Sequence, residues 1–334
     1  MRIPFPLIFL PTAVLAASRT SAPAGCLAVS KTPSSGQHGT IQSAVDALST
    51  TATGTQCIFI SPGTYSEQVL VPARKASQLS VYGHTADTTS YTGNTVTITS
   101  SKSQAAPGGL SNDETATLRV KTAGFRLYNV NVNNGYGRGS QAVALSAQAE
   151  SGYYGCALTG FQDTLLAERG AQLYVRCLVQ GATDFIFGRH APVWFEQVDV
   201  RVVAANLGYV TASGRQSASD PNYYVFNNST IAAAAGHSVP SGAYYLGRPW
   251  AAYARVVVQK TAMTNVINSA GWRIWNTGDE RTGNVVFGEH ANTGAGASGT
   301  RAAFATRLSA PVAISSILGS GYAAAGWFDA NYMS

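Results

Sequence analysis

An all-β fold, a solenoid of the parallel β-helix kind, is what this 334-residue sequence predicts, and three observations predict it. Charged residues make up only 11% of the chain while glycine and small polar residues abound, which suits many short strands and turns better than charge-studded helices. From residue 123 onward, strand-like segments return every ~20 to 30 residues without the intervening helical patterns of a βαβ fold. They read FRLYNVNV, YYGCALTG, LYVRCLVQG, VWFEQVDVRV, YYVFNNSTI and RVVVQKTAM. Between Gln141 and Asp184, identical residues also recur at one constant spacing: Gln141 falls on Gln162, Cys156 on Cys177, Gly160 on Gly181 and Asp163 on Asp184. A parallel β-helix accounts for this, because equivalent residues of successive coils stack at the interstrand spacing of roughly 4.8 Å.

Taken from the N-terminus, Arg2, the apolar stretch Ile3 to Leu15 and the small residues Ala16, Ala17 and Ser18 have the layout of a secretory signal. Residues 1–17 are therefore read as that signal and 18–334 as one domain, with 45% apolar content to fill its core. The leading stretch is too short to span a bilayer, and no later run approaches that length. Ile41 to about Leu48 reads as a short amphipathic helix that caps the open end of the solenoid, which an exposed end strand needs. Tyr65 and Glu67 in GTYSE are read as buttresses of the fold. The Gly/Ala-rich tail from Gly294 through Gly326 packs back along the outside in this reading.

Four cysteines in an exported chain point to two disulfides. Stacking would bring Cys156 and Cys177 to about 5 Å between Cα atoms, inside the disulfide window, so that pair is the expected bridge. Cys26 would join Cys57 by elimination, other connectivities remaining open. Overlapping sequons at Asn227 and Asn228 (NNST) fit glycosylation on a secretory route. The net charge of +6 favours a polyanionic partner. No Lys/Arg-rich run or recognition-helix pattern supports nucleic acid, so an acidic polysaccharide outside the cell is the better match.

The same stacking sets Asp163 and Asp184 about 5 Å apart if both point outward. Two like charges so close cannot both ionise easily, so one carboxyl keeps a proton and serves as general acid while the other serves as nucleophile or base. Gln141 and Gln162 bracket the pair with amide donors. Arg248, in LGRPW, is the candidate cation that keeps one carboxylate charged and oriented, against the plain alternative of a surface charge. Trp250, Phe187 and Trp272 are candidate walls of a sugar-binding cleft. Core packing competes for Phe187, whose strand turns alternate residues inward, and stands level with the cleft reading for Trp272.

The segments GTYSE, QAVAL, GFQDTL, DFIFG and LGRPW occur in the order found in pectin methylesterases, which the chain resembles from Gly63 to the segment FGEHANTGAGA near residue 290. It departs in SNDETATL, where members of that family often supply a threonine to substrate binding, and nothing is carried over from that stretch. The resemblance implies a right-handed, single-stranded parallel β-helix acting without metal or cofactor as a secreted monomer on methyl-esterified homogalacturonan. It implies Asp184 as nucleophile, Asp163 as general acid and then base, Gln141 and Gln162 as oxyanion donors, and Arg248 as the residue fixing Asp184, with Gln141 and Arg248 also touching substrate.

Three rivals are weaker. A retaining glycosidase uses carboxylates about 5 Å apart, but the glutamine pair has no evident task at an oxocarbenium centre, and neither Gly-His-Gly nor the adjacent Asp-Asp of polygalacturonases is present. A serine esterase needs a Gly-x-Ser-x-Gly elbow that the chain lacks, and His38, His84, His190, His237 and His290 are scattered without zinc-ligand spacing. A non-catalytic pectin-binding solenoid would have lost at least one of the five site residues, all of which stand.

Overall fold

Residues 17–333 are described by the computed structural model, so the signal assigned to 1–17 lies, apart from Ala17, outside the described residues. Each strand-like segment read from the sequence folds as two short strands around a corner: FRLYNVNV, for example, becomes Phe125–Tyr128 and Asn131–Asn134. The corner residue is left-handed in coil after coil, with φ of 53° at Asn129, 58° at Gly155, 50° at Arg176, 53° at Gln197 and 49° at Asn228 and Lys260. Side chains resist that conformation, and the backbone offsets the strain by hydrogen bonding across coils. Asn129 N–H donates to the Tyr154 carbonyl at 3.0 Å and Arg176 N–H to that of Glu196 at 3.0 Å.

A further strand completes the coil, and the coils assemble into three parallel sheets of eleven, eight and seven strands, a right-handed parallel β-helix. Inward side chains stack along its axis because neighbouring strands pair in register. Tyr153, Tyr174, Phe195 and Phe226 are successive register partners, with ring centroids 4.6, 5.0 and 4.4 Å apart. Such pairs contribute about 0.5–1.5 kcal/mol each beyond their burial.

The expected capping helix is present as Ile41–Ala47, and its buried residues Ile41, Ala44 and Val45 join the core. Thr40 caps it by accepting from Ser43 N–H at 3.1 Å, worth about 1 kcal/mol. The Glu67 carboxylate accepts from Ile41 N–H at 2.9 Å and Gln42 N–H at 3.0 Å, a negative charge on the helix N-terminus. Tyr65 is buried and donates to the Ser61 carbonyl at 3.0 Å. GTYSE is thus a buttress, as its sequence suggested.

At the other end, Ala305–Arg307 adds the last strand to the eleven-stranded sheet. Beyond it the tail lies on the sheet's outer face, where Ile317, Leu318, Trp327 and Tyr332 cover Tyr128, Tyr154, Leu173 and Val175. Arg126 fastens it by donating to the carbonyls of Gly326 and Phe328, both at 2.7 Å. Among the described residues no helix is long and apolar enough to cross a membrane.

Three expectations are corrected. The disulfide joins Cys26 to Cys57, with Cα atoms 4.6 Å apart, while Cys156 and Cys177 are free, buried thiols. Register stacking explains the difference: it holds Cα–Cβ bonds side by side at about 4.8 Å, whereas a disulfide needs Cβ atoms about 3.8 Å apart. The two sulfurs lie instead against backbone carbonyls, Cys156 Sγ 3.4 Å from Leu127 O and Cys177 Sγ 3.3 Å from Val175 O. Cys26 precedes its strand, just after a turn at Gly25, and its backbone is free to tilt toward Cys57. Thiol titration should therefore find two groups per chain in denaturant without reductant and none in the native protein; a count of zero in denaturant would mean that Cys156 and Cys177 are bonded after all.

Asn227 is also a poor glycan acceptor, because it is buried in a polar ladder: its Nδ2 donates to Glu196 at 2.8 Å and its Oδ1 accepts from Gln259 Nε2 at 2.8 Å. A glycan there would have to take the place of one Nδ2 hydrogen inside that buried ladder. Asn228, the left-handed corner residue, is exposed, and its Nδ2, which donates one hydrogen to Glu196 at 2.8 Å, is not enclosed in the ladder. Finally, Leu145 lies opposite Leu165 and Leu165 opposite Ile186, so the first step is one residue shorter than the second. Gln141 therefore does not stack squarely on Gln162, although Asp163 and Asp184 do fall in register.

Candidate active site

The two aspartates stand at the same corner of consecutive coils, Asp163 ahead of the strand Leu165–Ala167 and Asp184 ahead of Ile186–Gly188. Both are left-handed, with φ of 65° and 49°. Asp tolerates that region better than most residues, but it is held there only because its neighbours are pinned. Asp163 N–H donates to the Thr183 carbonyl at 3.1 Å, and Thr164, fully buried, donates from Oγ1 to the Gln180 carbonyl at 2.9 Å. Phe185, next to Asp184, is fully buried in the core. With Thr164 and Phe185 turned inward, both carboxyl groups turn outward.

Outward residues of the seven-stranded sheet form one row of successive register partners: Arg119, Ser146, Leu166, Phe187, Ala212 and Arg248. Leu166, Phe187 and Ala212 make an apolar floor with Trp250 packed against it, Phe187 and Trp250 having centroids 6.0 Å apart. Gly214 makes Trp250's seat possible, since a Cβ there would meet its ring at 2.5 Å. The cleft above this floor, about 370 Å³, is lined by Gln141, Gln162, Asp163, Asp184, Phe187, Arg248 and Trp250, joined by Gln104, Asn112 and Trp275.

Arg248 grips Asp184 with a two-pronged fork, Nε to Oδ1 at 3.0 Å and Nη2 to Oδ2 at 2.6 Å. Its guanidinium is flanked by the rings of Tyr209 and Trp275, 4.1 and 4.2 Å from their centroids. Asp163, by contrast, has no side-chain hydrogen bond or ion pair among the described residues. Burial and the charge of Asp184 push its carboxyl well above the usual range, only partly opposed by Arg248. Burial also raises Asp184, but the hydrogen bond and charge of Arg248 oppose it there directly. Asp184 is therefore the member that ionises first, and the site can present one carboxylate beside one carboxylic acid.

Of the residues singled out in the sequence, Gln141, Gln162, Asp163, Asp184, Arg248, Trp250 and Phe187 meet in this cleft. Trp272 does not. It is 1% exposed, stacks on Phe287 at 4.4 Å within the core, and donates from Nε1 to Glu289 at 3.1 Å. Trp275, three residues on and so on the opposite side of an extended chain, takes the cleft position. Tyr209, Trp275, Gln104 and Asn112 were not legible as site residues. Gln104 reaches the cleft by a loop contact, its N–H donating to the Gln141 carbonyl at 3.0 Å and its Nε2 to Asn112 at 2.8 Å. No group of three or more His, Cys, Asp or Glu residues capable of holding a metal comes together among the described residues.

Comparison with known proteins finds relatives over nearly the whole chain. A sequence-family profile described as Pectinesterase matches residues 27–307. A pectinesterase of Aspergillus aculeatus is 53% identical over 95% of both chains, and one of Aspergillus niger is 51% identical over 98% of both. The crystal structure of the deglycosylated pectin methylesterase from Aspergillus niger superposes with a TM-score of 0.86 at 41% identity, covering 95% of this chain and 100% of that one. The pectin methylesterase from carrot gives 0.78 at 29% identity, covering 92% and 98%.

Proposed function

The chain belongs to the pectinesterase family, and from that premise we propose that Asp184 and Asp163 carry out the hydrolysis of pectin methyl esters to methanol and free galacturonate carboxylates. One observation carries the assignment: of two register-stacked acids, Asp184 is forked by a guanidinium and Asp163 is left unpaired and raised. The Asp184 carboxylate attacks the ester carbonyl carbon while Gln141 and Gln162 donate amide hydrogens to the oxyanion that forms. Asp163 gives its proton to the departing methoxide, and methanol leaves an acyl group on Asp184. The Asp163 carboxylate then takes a proton from water, whose hydroxide adds to the acyl carbon and expels Asp184 as a carboxylate. The new galacturonic acid loses its proton to solvent, and both aspartates return to their starting states.

Methanol and proton release from highly methylated pectin, measured against the formation of reducing ends, tests this reading. Methanol and protons in equal amounts without new reducing ends are expected; reducing ends without methanol would make the pair a glycosidase. Gln162→Ala should lower kcat by about 10²-fold with a smaller effect on KM, the usual scale for one oxyanion donor. An unchanged kcat would remove Gln162 from that role. All five groups of this mechanism meet in one cleft of the chain, and we assign it to act as a monomer. The Cys26–Cys57 bond and a polymeric substrate are in keeping with work outside the cell. Asn228 is the sequon position we assign to a glycan.

A further inference from the structure

Arg248 is held by more than its fork. The hydrogen bonds to Asp184 use the N–H edge of the guanidinium and leave its two faces to other partners. Those partners are the rings of Tyr209 and Trp275, and neither contact ends there. Tyr209 stacks on Tyr245 with centroids 6.0 Å apart, and the Arg273 guanidinium lies 5.5 Å from the centroid of Tyr245. On the other side, the Arg281 guanidinium lies 4.8 Å from the centroid of Trp275. Three guanidinium groups and three rings are thus joined face to face, with Arg248 inside the run.

Parallel register builds it. Tyr209 and Tyr245 are partners on the neighbouring strands Gly208–Ser213 and Tyr244–Pro249. The next stretch of chain lies along the second of these, Gly247 bridging to Trp272 and Arg273 N–H donating to the Gly247 carbonyl at 3.1 Å. Arg281 is itself tied down, by Asp279 at 2.6 Å from its Nη2 and by the Trp250 carbonyl. Tyr209 is 7% exposed, and its hydroxyl makes no hydrogen bond among the described residues. What it offers Arg248 is therefore the face of its ring.

We propose that Tyr209 is a positioning residue of this esterase, its ring holding the Arg248 guanidinium in the plane from which it forks Asp184. The inference rests on the esterase reading above. An arginine side chain is long and rich in rotamers, and a ring against its face restrains the swing that a fork alone permits without competing for the N–H groups. Burial favours the protonated form of Asp184, and the fork is what opposes it. A looser fork therefore lets Asp184 take up its proton at higher pH. The ionisable groups bearing on Asp184 are Asp163 and Arg248, and those bearing on Arg248 are Asp184, Asp163 and Tyr209. Arg281 with Asp279 stands behind Trp275, and Arg273 behind Tyr245. Substitution of Tyr209 leaves all the others in place.

The test follows kcat for methanol release from highly methylated pectin, from acid to neutral pH, for the unaltered enzyme and for Tyr209→Phe, Tyr209→Leu and Tyr209→Met. The midpoint of the acid limb is the readout, because it does not depend on how much of a preparation is folded. Leucine and methionine fill the seat without a ring. Each should raise the midpoint by about one pH unit, the scale of one cation–π contact, so that kcat on the acid side of the limb falls about ten-fold further than on the other side. Phenylalanine keeps the ring face and should restore the midpoint of the unaltered enzyme. A midpoint that stays put in the leucine and methionine variants, even with kcat lowered equally at every pH, would make Tyr209 part of the scaffold only and overturn the proposal. A phenylalanine variant that moves as far as leucine would overturn it too, by giving the role to the hydroxyl. An unaltered enzyme that releases no methanol would defeat the esterase reading instead.

Discussion

Asp184→Asn is expected to lower kcat/KM for methanol release from highly methylated pectin by about 10⁴-fold, the scale on which removal of a nucleophile or its equivalent acts. The amide has nearly the shape of the carboxylate but cannot attack a carbonyl carbon at any useful rate. Its NH₂ would also turn a donor toward the donors of Arg248, so one prong of the 3.0 and 2.6 Å fork is lost. Arg248 would still lie between Tyr209 and Trp275, and the inward neighbours Phe185 and Ile186 would be undisturbed. Thermal unfolding should therefore remain cooperative, with circular dichroism unchanged. A variant that folds and keeps its methanol release would take the nucleophilic role from Asp184.

Asp163→Asn should reduce kcat by about 10²- to 10⁴-fold, because methoxide must then leave without its proton. Its distinctive result is in the pH profile. Catalysis needs Asp184 ionised and Asp163 protonated, so activity should fall in acid as Asp184 gains a proton and fall again as pH rises through the raised value of Asp163. The residual activity of the variant should lack that alkaline limb; a limb that persists belongs to another group. Stability should move the opposite way. A carboxyl that holds its proton in the folded chain but releases it when unfolded contributes stability present at low pH and lost as pH rises through its folded value. The amide that replaces it cannot ionise in either state. The variant should melt higher than the parent near neutral pH and at the same temperature in strong acid, the familiar exchange of activity for stability at a strained site.

The repeat was visible because parallel stacking in register writes a structural period directly into the chain: Asp163 and Asp184 were found by their spacing alone, and the coordinates keep them in register. The same rule misled at the cysteines, where stacking brings two buried thiols together and yet leaves both free. It slipped by one residue at Gln141 because the step from Leu145 to Leu165 is shorter than the next. Spacing says which residues are neighbours, not where their side chains point. Trp272 and Trp275 lie three apart in GWRIW, and which of them faces the core depends on the phase of a loop that bears no repeat. Tyr209 becomes a site residue only through Arg248, which reaches it from the next strand. The burial of Asn227 follows from its place in a ladder with Glu196 and Gln259, partners some thirty residues away on either side.

Solenoid construction gives this enzyme two different tolerances for changes of length. Duplicating or deleting one whole turn preserves every contact that a turn makes with its neighbours, so the scaffold can absorb it. An extra turn inserted between Thr164 and Thr183 would keep the architecture yet carry the two acids from one interstrand spacing to two, about 9.6 Å. Arg248 would still fork one of them, but the other would be raised by burial alone, without the neighbouring charge that adds to it. The protein can grow at its ends and stay an enzyme, whereas growth between these two turns leaves an intact fibre-like body with no chemistry.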